Sequence, residues 1–195
     1  MDIPILYEDE NLLIINKPAG IVVNRAQSVK EDTVQDWAEQ KFTVYRLPFT
    51  VDKNSDFYLR AGIVHRIDKE TSVILLIAKT PEVFVDLQRQ FKEREVKKTY
   101  LALVHGKLEP PEGEIRAPVG RLPWRPDRFG IVPGGKEAVT RYNVYKYYNN
   151  YSVVELYPET GRTHQIRVHL KYINHPIVGD YLYAGRKTSR DDRKT

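Results

Sequence analysis

The residues best suited to chemistry stand together in His65-Arg66-Ile67-Asp68-Lys69-Glu70-Thr71-Ser72, where four charged side chains, an imidazole and two hydroxyls occupy seven of eight positions. The apolar run Val73-Ile74-Leu75-Leu76-Ile77-Ala78 follows at once. A polar loop feeding a buried strand joins an exposed surface to a rigid support, a common setting for binding and catalytic groups. Asp68 is the leading candidate, because a carboxylate acts as nucleophile or base only while ionised and the nearby guanidinium of Arg66 favours that form. The competing reading is a surface turn with a local ion pair. Cysteine is absent, which excludes thiol nucleophiles, disulfides and thiolate metal sites.

The other motifs that could do chemistry fall short. His164 and His169 miss the four-residue spacing that stacks two ligands on one helix face, so no metal is expected. Gly185-Arg186-Lys187-Thr188 lacks the upstream glycine of a phosphate loop, and no GxGxxG occurs, so no nucleotide cofactor is expected. His65-Arg66-Ile67-Asp68 echoes a kinase catalytic loop without a DFG partner.

The string HRIDKETS resembles the signature of the RluA-type RNA pseudouridine synthases. Three further segments resemble the same family in the same order: Asn16-Lys17-Pro18-Ala19-Gly20, Lys98-Thr99-Tyr100-Leu101-Ala102 and Gly161-Arg162-Thr163-His164-Gln165-Ile166-Arg167-Val168-His169-Leu170. The resemblance covers about residues 5 to 184 and implies isomerisation of uridine in structured RNA, rRNA or tRNA, without a cofactor. It makes Asp68 the catalytic carboxylate, Tyr100 the tyrosine that stacks on the base, and Arg167 the arginine that forks onto Asp68. Arg66 matches the position that helps fill the gap left by a flipped nucleotide; His65 and Thr71 are taken as further RNA contacts. Val73 stands where the family commonly has glycine. After Gly179-Asp180-Tyr181-Leu182-Tyr183 the family usually continues into a further strand pair, whereas this chain runs into a charged tail.

The resemblance implies an α+β fold, a mixed, mainly antiparallel sheet with flanking helices and a central catalytic cleft. The hydrophobic pattern agrees, giving about ten strands and three helices. Ile5-Leu6-Tyr7, Leu12 to Asn16 and Ile21-Val22-Val23 read as short strands. Thr33 and Asp36 cap a helix with Val34, Trp37 and Ala38 inward, and residues 44 to 61 read as a loop. Thr80-Pro81 opens a second helix with the stripe Phe84, Leu87 and Phe91, running to about Arg94. The strand Thr99 to Val104 follows directly, which predicts Asp68 and Tyr100 on neighbouring elements of one sheet. Residues 110 to 136, rich in proline, read as an irregular arm in which Arg121, Arg125 and Arg128 meet phosphates and Trp124 offers a stacking face. Ala138 to Lys146 and Ser152 to Tyr157 form a hairpin about Tyr148-Asn149-Asn150. Thr163 caps a last helix with Ile166, Leu170 and Ile173 on one stripe, which turns Arg167 onto another face.

The chain of 195 residues is long enough for one large domain or two small lobes. A catalytic domain over 1–184 and a basic tail over 185–195 are expected. Of the net charge of +5, most lies in residues 186–195, where five basic residues face two Asp, so an RNA surface on the body must come from local clustering. No leader and no membrane-length apolar run is seen, and a cytoplasmic monomer is the expectation. Two other classes fit the same residues: a nucleosidase, which would need a second carboxylate with Glu70 as the near candidate, and a catalytically inactive RNA-binding module.

Overall fold

A computed structural model describes residues 1–45 and 52–185. Of the basic tail expected over 185–195, residues 186–195 lie outside the described residues, as do 46–51. The described residues form nine strands and four helices in two compact units, which divide between Val96 and Lys97. Every strand ladder is antiparallel. No helix among the described residues is long and apolar enough to cross a membrane.

The first unit is built on the sheet β1 (Ile5–Glu8), β2 (Leu12–Lys17) and β3 (Val73–Ala78), in that order. β3 is apolar throughout because both its faces are covered over most of its length, Ile74 alone staying exposed. Val73, Leu75 and Ile77 pack with Leu13, Ile15, Val34 and Ala38, while Leu76 and Ala78 pack with Phe57 and Phe84. Val73 needs no glycine-like backbone: it begins the strand opposite Lys17.

Helix α1 (Val34–Tyr45) starts with the expected reciprocal cap, Asp36 N donating to Thr33 Oγ1 at 3.2 Å and Thr33 N to Asp36 Oδ2 at 2.7 Å. Ile21-Val22-Val23 does not form a strand. The carbonyls of Val22 and Val23 accept the amides of Val34 and Gln35 at the start of α1 instead of a ladder. The loop expected over 44 to 61 is also corrected: α1 reaches Tyr45, and α2 (Asp56–Leu59) is a short turn capped by Ser55. Its buried residue, Phe57, is too isolated to give a periodic signal. After it, Gly62 has φ +71°, and a Cβ there would overlap the Ala78 carbonyl oxygen, so only glycine lets the chain pass along β3 into the signature. Helix α3 (Pro81–Lys92) follows the expectation, with Thr80 accepting the Val83 amide and Phe84, Leu87 and Phe91 inward.

The second unit carries the sheet β4-β9-β8-β5 and a separate two-stranded ribbon, β6–β7. β4 is Tyr100–His105, β5 Glu112–Arg116, β8 Val139–Tyr148 and β9 Tyr151–Pro158. β3 and β4 therefore do not share a sheet, contrary to the expected placement of Asp68 and Tyr100. Strand-helix-strand order sets sequence proximity only; β3 pairs with β2, whereas β4 pairs with β9 from the far end of its own unit.

The proline-rich stretch is not irregular. It forms β5, β6 (Val119–Leu122) and β7 (Arg125–Ile131), with Pro123-Trp124 as the two-residue turn of the ribbon. Proline suits the first turn position, and a two-stranded ribbon has outer edges where a missing N–H costs nothing. The β8–β9 hairpin turns at Asn149-Asn150, with Asn149 left-handed at φ 42°.

Candidate active site

In the first unit the signature loop is tied at both ends. His65 Nε2 accepts the Leu76 amide of β3 at 3.2 Å, and its ring stacks on Phe91 of α3 at 4.6 Å. The imidazole expected to touch RNA thus anchors the loop to the strand and helix beside it. At the other end sits Lys17, fully buried although it is a lysine. Alternation along β2 puts it on the core face with Leu13 and Ile15. Its Nζ donates to the carbonyls of Pro18 at 2.9 Å, Ile21 at 2.9 Å and Lys69 at 3.2 Å. Three acceptors match the three protons of an ammonium, which is what burial of the group requires. Burial pushes its pKa down, and the negative charges of Glu70 and Asp68 oppose that shift. The buried cation that feels Asp68 in this unit is Lys17.

Asp68 is half-buried, and its carbonyl accepts the Thr71 amide at 3.2 Å, closing a turn at the loop's tip. Arg66 is exposed and makes no ion pair among the described residues, so the expected local pair with Asp68 does not form. An exposed pair of this kind contributes little, about 0–1 kcal/mol, and the side chain stays solvated. Glu70 is also exposed, and Lys69 pairs instead with Glu31 at 2.8 Å.

In the second unit, Tyr100 opens β4 opposite Leu156 and packs half-buried against the Val104, Val154 and Leu170 cluster. Helix α4 (Gln165–Tyr172) presents different side chains on each face. Ile166 and Leu170 enter that cluster with Ile173, as the period predicts. The cap differs from expectation. The N-cap is His164, left-handed at φ 55° and without a side-chain cap bond, while Gln165 does the tethering. Gln165 Oε1 accepts from Thr160 Oγ1 at 2.7 Å and Arg162 N at 3.0 Å; Nε2 donates to Val139 O at 3.0 Å and Thr140 Oγ1 at 2.9 Å. One turn on, buried His169 faces Ala117 O through Nε2 and Thr140 Oγ1 through Nδ1. A carbonyl only accepts, so Nε2 carries the proton and Nδ1 accepts from the threonine. Burial holds this imidazole neutral by lowering its pKa.

Arg167 leaves the stripe as predicted but is not solvated, its side chain being 17% exposed. Its Nε donates to Asp180 Oδ2 at 2.8 Å and its Nη2 to Oδ1 at 2.9 Å, a bidentate fork. The Tyr183 ring lies 4.9 Å from the guanidinium carbon. The Tyr183 hydroxyl sits 2.7 Å from His164 Nδ1 and accepts the Phe129 amide of β7 at 3.2 Å, which links the ribbon to the start of α4. Burial alone would raise the Asp180 pKa, but Arg167 and the amides of Leu182 and Tyr183 hold it below the usual carboxylate range. No motif or period in the sequence joins positions 167 and 180.

The ribbon arginines are engaged locally. Arg125 forks onto exposed Asp127 at 3.0 Å, Arg128 Nε lies 3.7 Å from the same carboxylate, and Arg121 donates to Pro126 O and covers the Phe129 ring. Trp124, at the turn, is 72% exposed.

The family model described as RNA pseudouridylate synthase matches residues 11–172, a range that runs through both units. The ribosomal large subunit pseudouridine synthase D of Nitrosomonas europaea is 43% identical over 188 residues, covering 96% of this chain and 51% of that protein. The RNA pseudouridine synthase YlyB of Bacillus subtilis is 39% identical, covering 96% of this chain and 60% of that one. The chain spans about half the length of the curated relatives it matches. Among solved structures, human RNA pseudouridylate synthase domain containing 1 superposes with a TM-score of 0.76 at 28% identity, covering 98% of this chain and 73% of the other. With the four motifs in order and the family match extending from β2 to the end of α4, the chain belongs to the RNA pseudouridylate synthase family, RluA type.

Proposed function

We propose that this chain isomerises uridine in structured RNA, rRNA or tRNA, to pseudouridine in a cytoplasmic setting. The reaction breaks the bond from N1 to C1′, turns the base while it is held, and joins C1′ to C5; the C5 hydrogen leaves to water and N1 gains a proton. It consumes no redox or energy equivalent. Asp68 is the catalytic carboxylate, Arg167 orients it, Tyr100 stacks on the base and borders the proton transfer, and Arg66 helps fill the gap left by the flipped nucleotide.

The observation that carries this reading is the signature loop: a half-buried carboxylate on a turn pinned to β3 through His65 and to a buried ammonium through Lys69. Such anchoring holds a reacting group within the narrow limits that catalysis needs. Arg66, exposed and without an ion pair among the described residues, supports a role in RNA contact. The ribbon offers Trp124 as a stacking face, with Arg121, Arg125 and Arg128 for phosphates. Because the Arg125–Asp127 pair is exposed and screened by solvent, a phosphate exchanges for Asp127 at little cost.

The test is release of label from large-subunit rRNA or tRNA transcripts carrying tritium at C5 of uridine. Tritium passes to water without added metal or nucleotide. Free uracil in its place means the nucleosidase reading, and retention of all label with intact RNA binding means the binding module.

The tail supplies most of the net charge, and we propose that it follows phosphates without reading bases. Deleting residues 186–195 then weakens binding to all RNAs alike and flattens the log–log salt dependence by roughly 0.7 to 0.9 for each phosphate the tail had neutralised. An unchanged slope shows an idle tail, and a change in which uridine is modified shows that it reads more than charge.

A further inference from the structure

Resting on the role proposed for Arg167, we infer that Asp180 is a positioning residue of the reaction, holding the Arg167 guanidinium in one orientation. The guanidinium is planar, so a carboxylate gripping Nε and Nη2 also fixes the direction of Nη1. The grip itself cannot rotate. Asp180 Oδ1 accepts the amides of Leu182 at 3.0 Å and Tyr183 at 3.2 Å, and its side chain is 4% exposed. Tyr183 adds its ring at 4.9 Å from the guanidinium carbon, and its hydroxyl is held by Phe129 N and His164.

Stability is a poor explanation for this arrangement. Desolvating two charges offsets most of their attraction, and buried ion pairs are often replaceable by apolar groups without loss. What an apolar pair cannot reproduce is a directed guanidinium edge. Arg167 and the two amides outweigh the burial of Asp180 and favour its ionised form.

The experiment is a double-mutant cycle on tritiated large-subunit rRNA, with Asp180→Asn, Arg167→Lys and the two combined, each assayed well below its own unfolding temperature. Asparagine keeps the shape but offers one acceptor where the fork needs two. Turnover at saturating RNA falls roughly 10- to 100-fold, whereas the half-saturating RNA concentration moves by less than about threefold. The double variant is no slower than Arg167→Lys alone, because Asp180 acts through Arg167. Independent losses that multiply, or unchanged turnover in a folded Asp180→Asn protein, overturn the inference. If Asp180→Asn does not fold, Asp180→Glu takes its place in the cycle and the same coupling decides. Asp68→Asn runs in parallel: full turnover in that variant removes the reading of the site, while an inert Asp68→Asn beside an unaffected Asp180→Asn removes the positioning role alone.

Discussion

Replacing Asp68 by asparagine lowers turnover by at least about 10³-fold while RNA binding persists. The amide keeps the volume of the half-buried side chain and leaves the Asp68–Thr71 turn intact, since that turn uses the backbone carbonyl. It removes the anion and any ability to attack carbon or take a proton. Binding survives because the proposed phosphate contacts, the ribbon arginines Arg121, Arg125 and Arg128, do not depend on the Asp68 carboxylate. Asp68→Glu retains the charge but moves it by one methylene, and a displacement of about 1 Å costs on the order of 10²-fold where geometry is critical. Single-turnover tritium release beside a filter-binding titration separates the two effects. An Asp68→Asn protein with turnover near that of the parent would end the proposed mechanism.

Lys17→Met is expected to cost about 2–4 kcal/mol of stability, by removing the donor shared by acceptors in the turn after β2 and in the signature loop. Methionine matches the length of the lysine stem, so the packing beside Leu13 and Ile15 is conserved and the change isolates the ammonium. Relief of the ammonium's desolvation offsets part of the loss. The three carbonyls of Pro18, Ile21 and Lys69 lose a charged donor together, and Lys69 O keeps only the Gly20 amide. For a chain of this size each kcal/mol moves the unfolding midpoint by about 2–4 °C, so a drop of roughly 4–16 °C is expected by circular dichroism. Faster hydrogen exchange at the Gly20 amide locates the damage at the loop. A midpoint within about 2 °C of the parent, less than the shift expected for 1 kcal/mol, would show that the buried ammonium is not what ties Pro18 to Lys69.

Much of this architecture follows from local sequence. The Thr33/Asp36 cap, the Thr80-Pro81 start of α3, the stripe Ile166, Leu170, Ile173 and the Asn149-Asn150 hairpin are visible because they depend on neighbours within a few residues. The signature loop and its family are legible for the same reason, as a contiguous string of unlike polar residues before an apolar run. The failures are equally local. Proline density hides β5, β6 and β7, because a proline on a ribbon edge gives no outward sign of which way its nitrogen faces.

Only the tertiary structure decided which side chains hold the catalytic candidates. Alternation along β2 could put Lys17 on the core face, but its three carbonyl partners come from turns at 18, 21 and 69 that only folding assembles. Asp180 meets Arg167 because the turn after α4 returns along it and aims two backbone amides at the carboxylate. His65 is an anchor rather than an open imidazole because Leu76 N and Phe91 border it. The sequence by itself pointed to the candidate carboxylate and determined the family and most of the elements, since these are written in residue type and short-range period. Partnership between distant polar groups is set by chain reversals and burial, where a few ångströms separate a solvated charge from an anchored one, and no short-range pattern encodes that distance.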